Sequence, residues 1–300
     1  FHALLEKTKN LEPVFCAVVH PCDVESLTGA VDSAAVGLIK PILIGPAKKI
    51  LAIANTASID ISPYELIDVP HSHAAADKAA DMAVERKVEM MMKGSLHTDE
   101  LLHAILARPQ LRTGRRMSHV FRFDIPMYSK PLLVTDAALN IRPTLMEKVD
   151  IIQNAIDFSV IMGVANPKVA ILSAVETVNP DIPSTIEAAA LCKMAQRGQI
   201  KGGILDGPLA FDNAISLHAA QIKGIESPVA GDADILNVPD LESGNMLAKQ
   251  LEYFAGASGA GLVLGSKIPV ALTSRADSAR TRVASAILGL LVAHAHRQNS

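Results

Sequence analysis

Residues 273–278 read Thr-Ser-Arg-Ala-Asp-Ser, after the apolar run Pro269–Leu272 and before a long helical pattern that starts near Asp277. A hydroxyl on Ser274, a guanidinium fork on Arg275 and a helix N-terminus in one turn make a site for an anion. Helix amides and the helix dipole favour negative charge there, and Arg matches phosphate with two parallel bonds. Ordinary capping by Asp277 or Ser278, with Arg275 in a surface ion pair, explains the same residues. Met92-Lys93-Gly94-Ser95 follows another apolar run. Lys with Gly and Ser suits a phosphate or pantetheine contact, although the spacing is not that of a Walker loop, and a turn with a solvated lysine competes. In Leu205–Asp212 a Gly207-Pro208 turn holds the carboxylates of Asp206 and Asp212 near a strand end, or is turn chemistry alone. Asp136 and Asn140 stand between a strand and a helix, where capping serves as well as ligand binding. The glycine loops Ala230–Asp234 and Ser243-Gly244-Asn245 let a backbone approach a ligand closely.

Other chemistries lack their residues. His71-Ser72-His73, His20 near Cys22, and His294 with His296 form no HExxH set and no paired CxxC, so no metal is expected. No GxSxG elbow occurs and no GxGxxG follows a strand, which removes support for a serine hydrolase or a Rossmann-type hydride transfer. Cys16, Cys22 and Cys192 fit a reducing compartment, here the cytoplasm, better than a disulfide framework. A net charge of −3, 3% aromatics and no Trp argue against a nucleic-acid surface. The apolar run Val283–Ala293 falls short of the roughly 20 residues of a membrane span. The N-terminal FHALLEKTKN is not a signal peptide.

These loops need a scaffold. With 49% hydrophobic and 20% charged residues in 300, a large core is expected. Short apolar runs alternate with helical patterns: VFCAVV (14–19), PILIG (41–45), YELIDV (64–69), VEMMM (88–92), PLLVTD (131–136), VAILSAVE, GGILDGP, ADILNVP, GLVLG and PVALTS read as strands. Such alternation implies an α/β fold of parallel strands with helices on both faces, and ligands then sit beyond the carboxyl ends of the strands. Thr144 with Glu147, and Ser184 with Glu187, read as capping boxes. Leu145, Val149, Ile152, Ile156 and Val160 form one helical stripe that ends at Gly163. Pro126 to Pro131 interrupts the pattern and marks a domain boundary.

The blocks VEMMMKGS, SHVFRFDIP, LLVTDAALN, GGILDGPLAFDNAIS, KGIESPVAGDADIL, PDLESGNMLAKQLEYFAG and PVALTSRADS, in that order, resemble the phosphate acetyltransferase and phosphate butyryltransferase family from about Val14 to Leu291. The resemblance implies a two-domain parallel-sheet α/β fold of the isocitrate and isopropylmalate dehydrogenase kind, with the active site in the interdomain cleft. Its first domain would be residues 1–128 with 266–300, and its second 129–265, which dimerises. The implied homodimer interconverts acyl-CoA plus phosphate with acyl phosphate plus CoA, without metal or redox cofactor. Ser274 and Arg275 would hold the phosphate and the reacting acyl group. Thr281 stands where the acetyl-transferring branch carries an acid, and Asp277, four residues earlier on the same helical face, is the candidate base. Lys93, Gly94, Ser118, Asn140, Asp206, Gly207, Lys223, Asp234, Asn245 and Ser278 belong to matching blocks as substrate-binding candidates, and Lys249 belongs to one without an assigned role. Glu252-Tyr253 replaces an Arg of the acetyl branch, and TSRADS and LEYFAG look like the butyryl branch. The chain also resembles the transferase half of bacterial proteins with an upstream enoyl-CoA-hydratase-like domain, which its start at Phe1 fits. Two alternatives stay open: an acyl carrier protein or another donor on the same fold, and a non-catalytic module that binds CoA or acyl phosphate.

Overall fold

The computed structural model describes residues 2–274 and 277–298. Its contacts divide the chain into two units, Phe1–Arg115 with Ala260–Ser300, and Arg116–Gly259. The first opens with α1 (His2–Glu6), β1 (Val14–Val19), α2 (Val24–Ala35), β2 (Ile39–Gly45), α3 (Ala47–Ala57), β3 (Glu65–Asp68), α4 (Ser72–Val84), β4 (Met90–Lys93) and α5 (Thr98–Leu106). The second holds β5 (Ser118–Asp124), β6 (Leu132–Thr135), α6 (Leu145–Ile161), β7 (Lys168–Leu172), α7 (Pro183–Gln196), β8 (Ile204–Leu209), α8 (Phe211–Ile215), α9 (Leu217–Ile222), β9 (Ile235–Asn237) and α10 (Leu241–Tyr253). The chain then returns through β10 (Ser258–Leu264), β11 (Val270–Ala271) and α11 (Ala279–Gln298).

In the first unit the strand order is β3-β2-β1-β4-β11-β10, parallel as far as β11 and antiparallel between β11 and β10. β4 is buried at every position and β1 at all but Phe15, as continuous apolar strands covered on both faces should be. Ala75, Ala76, Ala79, Ala80 and Ala83 give α4 a small-residue stripe that lies against β1 and β2. His71 caps α4, its Nδ1 accepting from Ala74 N at 3.1 Å, so this histidine is a helix start.

In the second unit β5 and β6 form an antiparallel hairpin, and β6, β9, β7 and β8 follow in parallel. Phe123, Leu132, Val134, Ala170, Leu209 and Leu236 are buried in one core. The units divide at 115/116 and 259/260, whereas the sequence reading put the changes after 128 and 265. The cause is β5: its pairing with β6 ties residues 118–124 to the second unit, and Pro126 to Pro131 is only the hairpin connection.

Four local readings change. The α7 start is capped at Ile182 with Pro183 in the first turn; Ser184 Oγ lies 2.8 Å from Ser173 Oγ, and Glu187 pairs with Lys148 of α6, so no capping box forms there. The buried face of α6 runs through Lys148, Ile151, Ile152, Ala155, Ile156, Phe158 and Ser159, leaving Val160 exposed. Gly207-Pro208 lies within β8 and is not a turn. Ser243-Gly244-Asn245 lies in the first turns of α10, whose cap Asp240 accepts from Ser243 N at 2.8 Å. By contrast, the Thr144–Glu147 capping box and the left-handed Gly163 are present.

Candidate active site

The carboxyl ends of β1, β4 and β11 meet in the first unit, with Val19 paired to Lys93 and Ala271 to Met92. Gly94 N donates to Val19 O at 2.9 Å, and Ser95 N to His20 O at 2.9 Å, so the turn after β4 lies against the turn after β1. A Cβ on Gly94 would sit 2.4 Å from His20 O and 2.5 Å from Val19 O, so only glycine fits. His20 Nδ1 and Ser95 Oγ are 3.2 Å apart, and burial pushes the imidazole's pKa down, with Lys49 adding to it. Lys93 is buried at the strand end, its Nζ 3.4 Å from Gly94 O.

The loop after β11 faces this turn. Ser274 N donates to Asp277 Oδ2 at 2.7 Å, and Asp277 N donates to Ser274 O at 3.2 Å. The two residues thus clamp each other across positions 275 and 276; Arg275 lies outside the described residues. Ser278 Oγ accepts from Thr281 N at 3.3 Å and caps α11. Thr281 is thereby engaged in the first turn of the helix.

One residue that the sequence reading missed ties these loops together. Arg282, only 2% exposed, donates from Nη1 to Thr273 Oγ1 at 2.8 Å and to Lys93 O at 3.3 Å, and from Nη2 to Ser274 O at 3.1 Å. Gly29 of α2 makes room, since a Cβ there would sit 2.7 Å from Arg282 Cβ and Cδ. Arg282 Nε is buried without a partner among the described residues. Burial pushes this guanidinium's pKa down, and Asp23, Asp277 and Glu25 offset part of that cost. A buried cation therefore lies directly beneath the loop that carries Ser274. Its signal in the sequence is an Arg leading an apolar helix, with its glycine partner more than 250 residues away.

The remaining candidates lie in the second unit. Asn140 Nδ2 donates to Asp136 Oδ2 and to Met117 O, and its Oδ1 accepts from Arg116 Nε. Asp136 also accepts from the amides of His119, Ala138 and Leu139, which fixes the loop after β6. Ser118 Oγ accepts from Asn154 Nδ2, and Asn245 Nδ2 donates to Ala137 O, so Ser118, Asn140 and Asn245 gather around that loop. Lys223 pairs with Glu176 at 3.1 Å and Asp212 at 3.2 Å beyond the ends of β7 and β8. Asp206 and Gly207 sit within β8; the Asp206 carboxylate accepts from Gly207 N, and Gly207 packs against Ile171. Asp234 stands at the amino end of β9, binding Lys168 N and Lys130 Nζ. Lys249 pairs with Glu252 on α10.

No cysteine is set up as a nucleophile. Burial raises the Cys16 and Cys22 thiols, and burial together with Asp206 pushes Cys192 up to about 12. At pH 8 such a thiol is ionised to only about one part in 10⁴. Iodoacetamide at pH 8 is therefore expected to label Cys192 of the native protein far more slowly than that of the unfolded chain, as peptide mass spectrometry would read. Equally fast labelling of Cys192 in the native and unfolded protein would contradict this.

Comparisons with known proteins match this architecture. The family model described as phosphate acetyl/butaryl transferase matches residues 74–290. A phosphate acetyltransferase of Rhizobium meliloti is 57% identical over 298 residues, 99% of this chain and 94% of that protein. A phosphate butyryltransferase of Clostridium acetobutylicum is 40% identical over 294 residues, 98% of each chain. The crystal structure of a branched-chain phosphotransacylase from Enterococcus faecalis V583 matches with a TM-score of 0.81 at 29% identity, over 93% of this chain and 99% of that one. A fold that brings Thr273 and Ser274 to the β4 turn through Arg282, a family match over most of the chain and relatives of these identities lead to one conclusion: this chain belongs to the phosphate acetyl/butaryl transferase family of acyltransferases.

Proposed function

We propose that this enzyme interconverts a short-chain acyl-CoA and inorganic phosphate with the acyl phosphate and free CoA, at the carboxyl ends of β4 and β11. The observation that supports it best is the Ser274–Asp277 clamp, which sits at the α11 N-terminus above the buried Arg282 guanidinium. The α11 N-terminus and the Arg282 guanidinium bring positive charge there, as phosphate and a developing oxyanion require, while the Asp277 carboxylate holds the Ser274 amide. In one direction the CoA thiolate attacks the carbonyl carbon of the acyl phosphate. The C–S bond forms, the C–O bond to phosphate breaks, and phosphate leaves with that electron pair. Ser274 and Arg275 hold the phosphate, and the Lys93-Gly94 turn borders it.

The thiol proton needs an acceptor, because a free thiol has a pKa of roughly 8.5. Asp277 is proposed for it, with Oδ2 holding Ser274 N and Oδ1 left to take the proton. Asp277→Asn keeps an oxygen for the loop and removes the base. It is expected to lower kcat by about 10²–10⁴-fold and to change the pH profile. Near-normal turnover with an unchanged profile would leave Asp277 a purely structural residue.

Acyl length is read by comparing phosphate-dependent CoA release from acetyl-, propionyl- and butyryl-CoA. Glu252-Tyr253 in place of an Arg supports use of propionyl- or butyryl-CoA at least as well as acetyl-CoA, and one methylene in a matched pocket is worth about 10–200-fold in kcat/KM. A strong acetyl preference would overturn that part. The proposal includes a cytoplasmic homodimer. Free cysteines support the compartment, and the exposed Met246, Tyr253 and Phe254 on and after α10 support an interface.

A further inference from the structure

At the amino ends of β4 and β11, the opposite ends of these strands from the loops described above, lies a cavity of about 670 Å³ within the first unit. That volume falls in the range of small-molecule sites, roughly 300–1,000 Å³. Its floor is apolar and buried, with Val88, Leu111 and Ile268 each under 5% exposed. Arg86, Lys267 and Arg297 bring positive charge to its lining, beside Glu89 and His296.

One lining carboxylate, Glu89, is already committed. Arg297 holds both of its oxygens in a bidentate pair, which keeps Glu89 below the usual carboxylate range. His296 donates from Nδ1 to Lys267 O at 3.1 Å. Arg86 and Lys267 remain, and among the described residues neither side chain meets a carboxylate. Just past the α4 cap, Arg86 takes φ 57°, the left-handed conformation that glycine ordinarily supplies at a helix end. That is an ordinary helix stop, in which Arg86 N donates to Ala83 O at 3.1 Å and Lys87 N to Met82 O at 2.8 Å.

We infer that this cavity binds an organic anion of nucleotide size, its apolar body on the Val88–Leu111–Ile268 floor and its phosphates on Arg86 and Lys267. Two cations lining a cavity with an apolar floor suit such a molecule better than a bare inorganic anion, which would leave the floor unused. The site is separate from the one proposed for acyl transfer, because it lies at the other end of the same strands.

The test is a calorimetric titration of the intact protein with ATP and, separately, with inorganic pyrophosphate. Wild type is expected to show an ATP binding event that weakens about tenfold or more in the double variant Arg86→Ser/Lys267→Ser, which loses two charge-assisted contacts. Pyrophosphate, lacking the apolar body, is expected to bind about tenfold or more weakly than ATP. The variant should keep the wild-type kcat and the wild-type KM for acyl-CoA and phosphate, so failure here and failure of the acyl-transfer reading are told apart. Absence of ATP binding, equal ATP affinity in the variant, or pyrophosphate binding as tight as ATP would each overturn the inference.

Discussion

Arg275→Ala is expected to lower kcat by about 10²-fold or more, the order lost when one preorganised donor to a developing anion is deleted. The clamp between Ser274 and Asp277 and the cap by Ser278 depend on neighbouring residues, so the loop framework should survive the change. Stability should therefore stay near wild type while phosphate KM rises and kcat falls. Arg275→Lys should not restore the rate, because a point charge does not reproduce the two parallel bonds of the guanidinium fork. Steady-state kinetics with phosphate and acyl-CoA varied separately would check this. Wild-type turnover with unchanged phosphate KM would remove the site from this loop.

Arg282→Met is the second large effect. The change removes the donor from Thr273 Oγ1, Lys93 O and Ser274 O at once. An unsatisfied buried acceptor costs about 1–3 kcal/mol, but relief of a desolvated charge offsets part of that. The protein should fold with a lowered Tm. Catalysis should suffer more than the fold does, because the anchor joining the β4 turn to the β11 loop is gone, and a displacement of about 1 Å at a reacting centre costs on the order of 10²-fold. The diagnostic is a split in the kinetics, with phosphate KM and kcat changing by about tenfold or more and acyl-CoA KM changing little. A variant with a lower Tm whose folded fraction has wild-type constants would make Arg282 a packing residue only. Arg282→Lys should recover part of the Tm through its retained charge but cannot reach all three acceptors.

The elements that local signals determine were legible in the chain. VFCAVV is β1 to the residue, because a strand buried on both faces is a continuous apolar run. Thr144 and Glu147 make their capping box because both partners lie within one turn. Ser184 and Glu187 carry the same pattern but lose it to distant partners: Ser173 meets the hydroxyl, and Lys148 draws the carboxylate. The burial of α6 is set likewise by what packs on it, which moves the buried face away from Val160. The chemical loops followed the same divide. TSRADS and MKGS read from the chain as anion-binding types, but what brings Thr273 and Ser274 to Lys93 is Arg282, Gly29 and the pairing of β4 with β11, none of which is local. Asp234 carries a matching motif yet sits at the amino end of β9 as a partner for Lys130 and Lys168. A motif specifies a backbone as readily as a ligand.

Phosphorus NMR of the intact enzyme with butyryl-CoA, inorganic phosphate and excess EDTA tests the proposed acyl transfer most directly. Acyl transfer to phosphate requires an acyl phosphate resonance that grows one-for-one with free CoA thiol, and initial rates of both lower by about 10²-fold or more in Arg275→Ala. Thiol release without loss of inorganic phosphate would instead mean hydrolysis, and a reaction stopped by EDTA and restored by a divalent ion would mean a metal-dependent mechanism; either result contradicts the transfer described here.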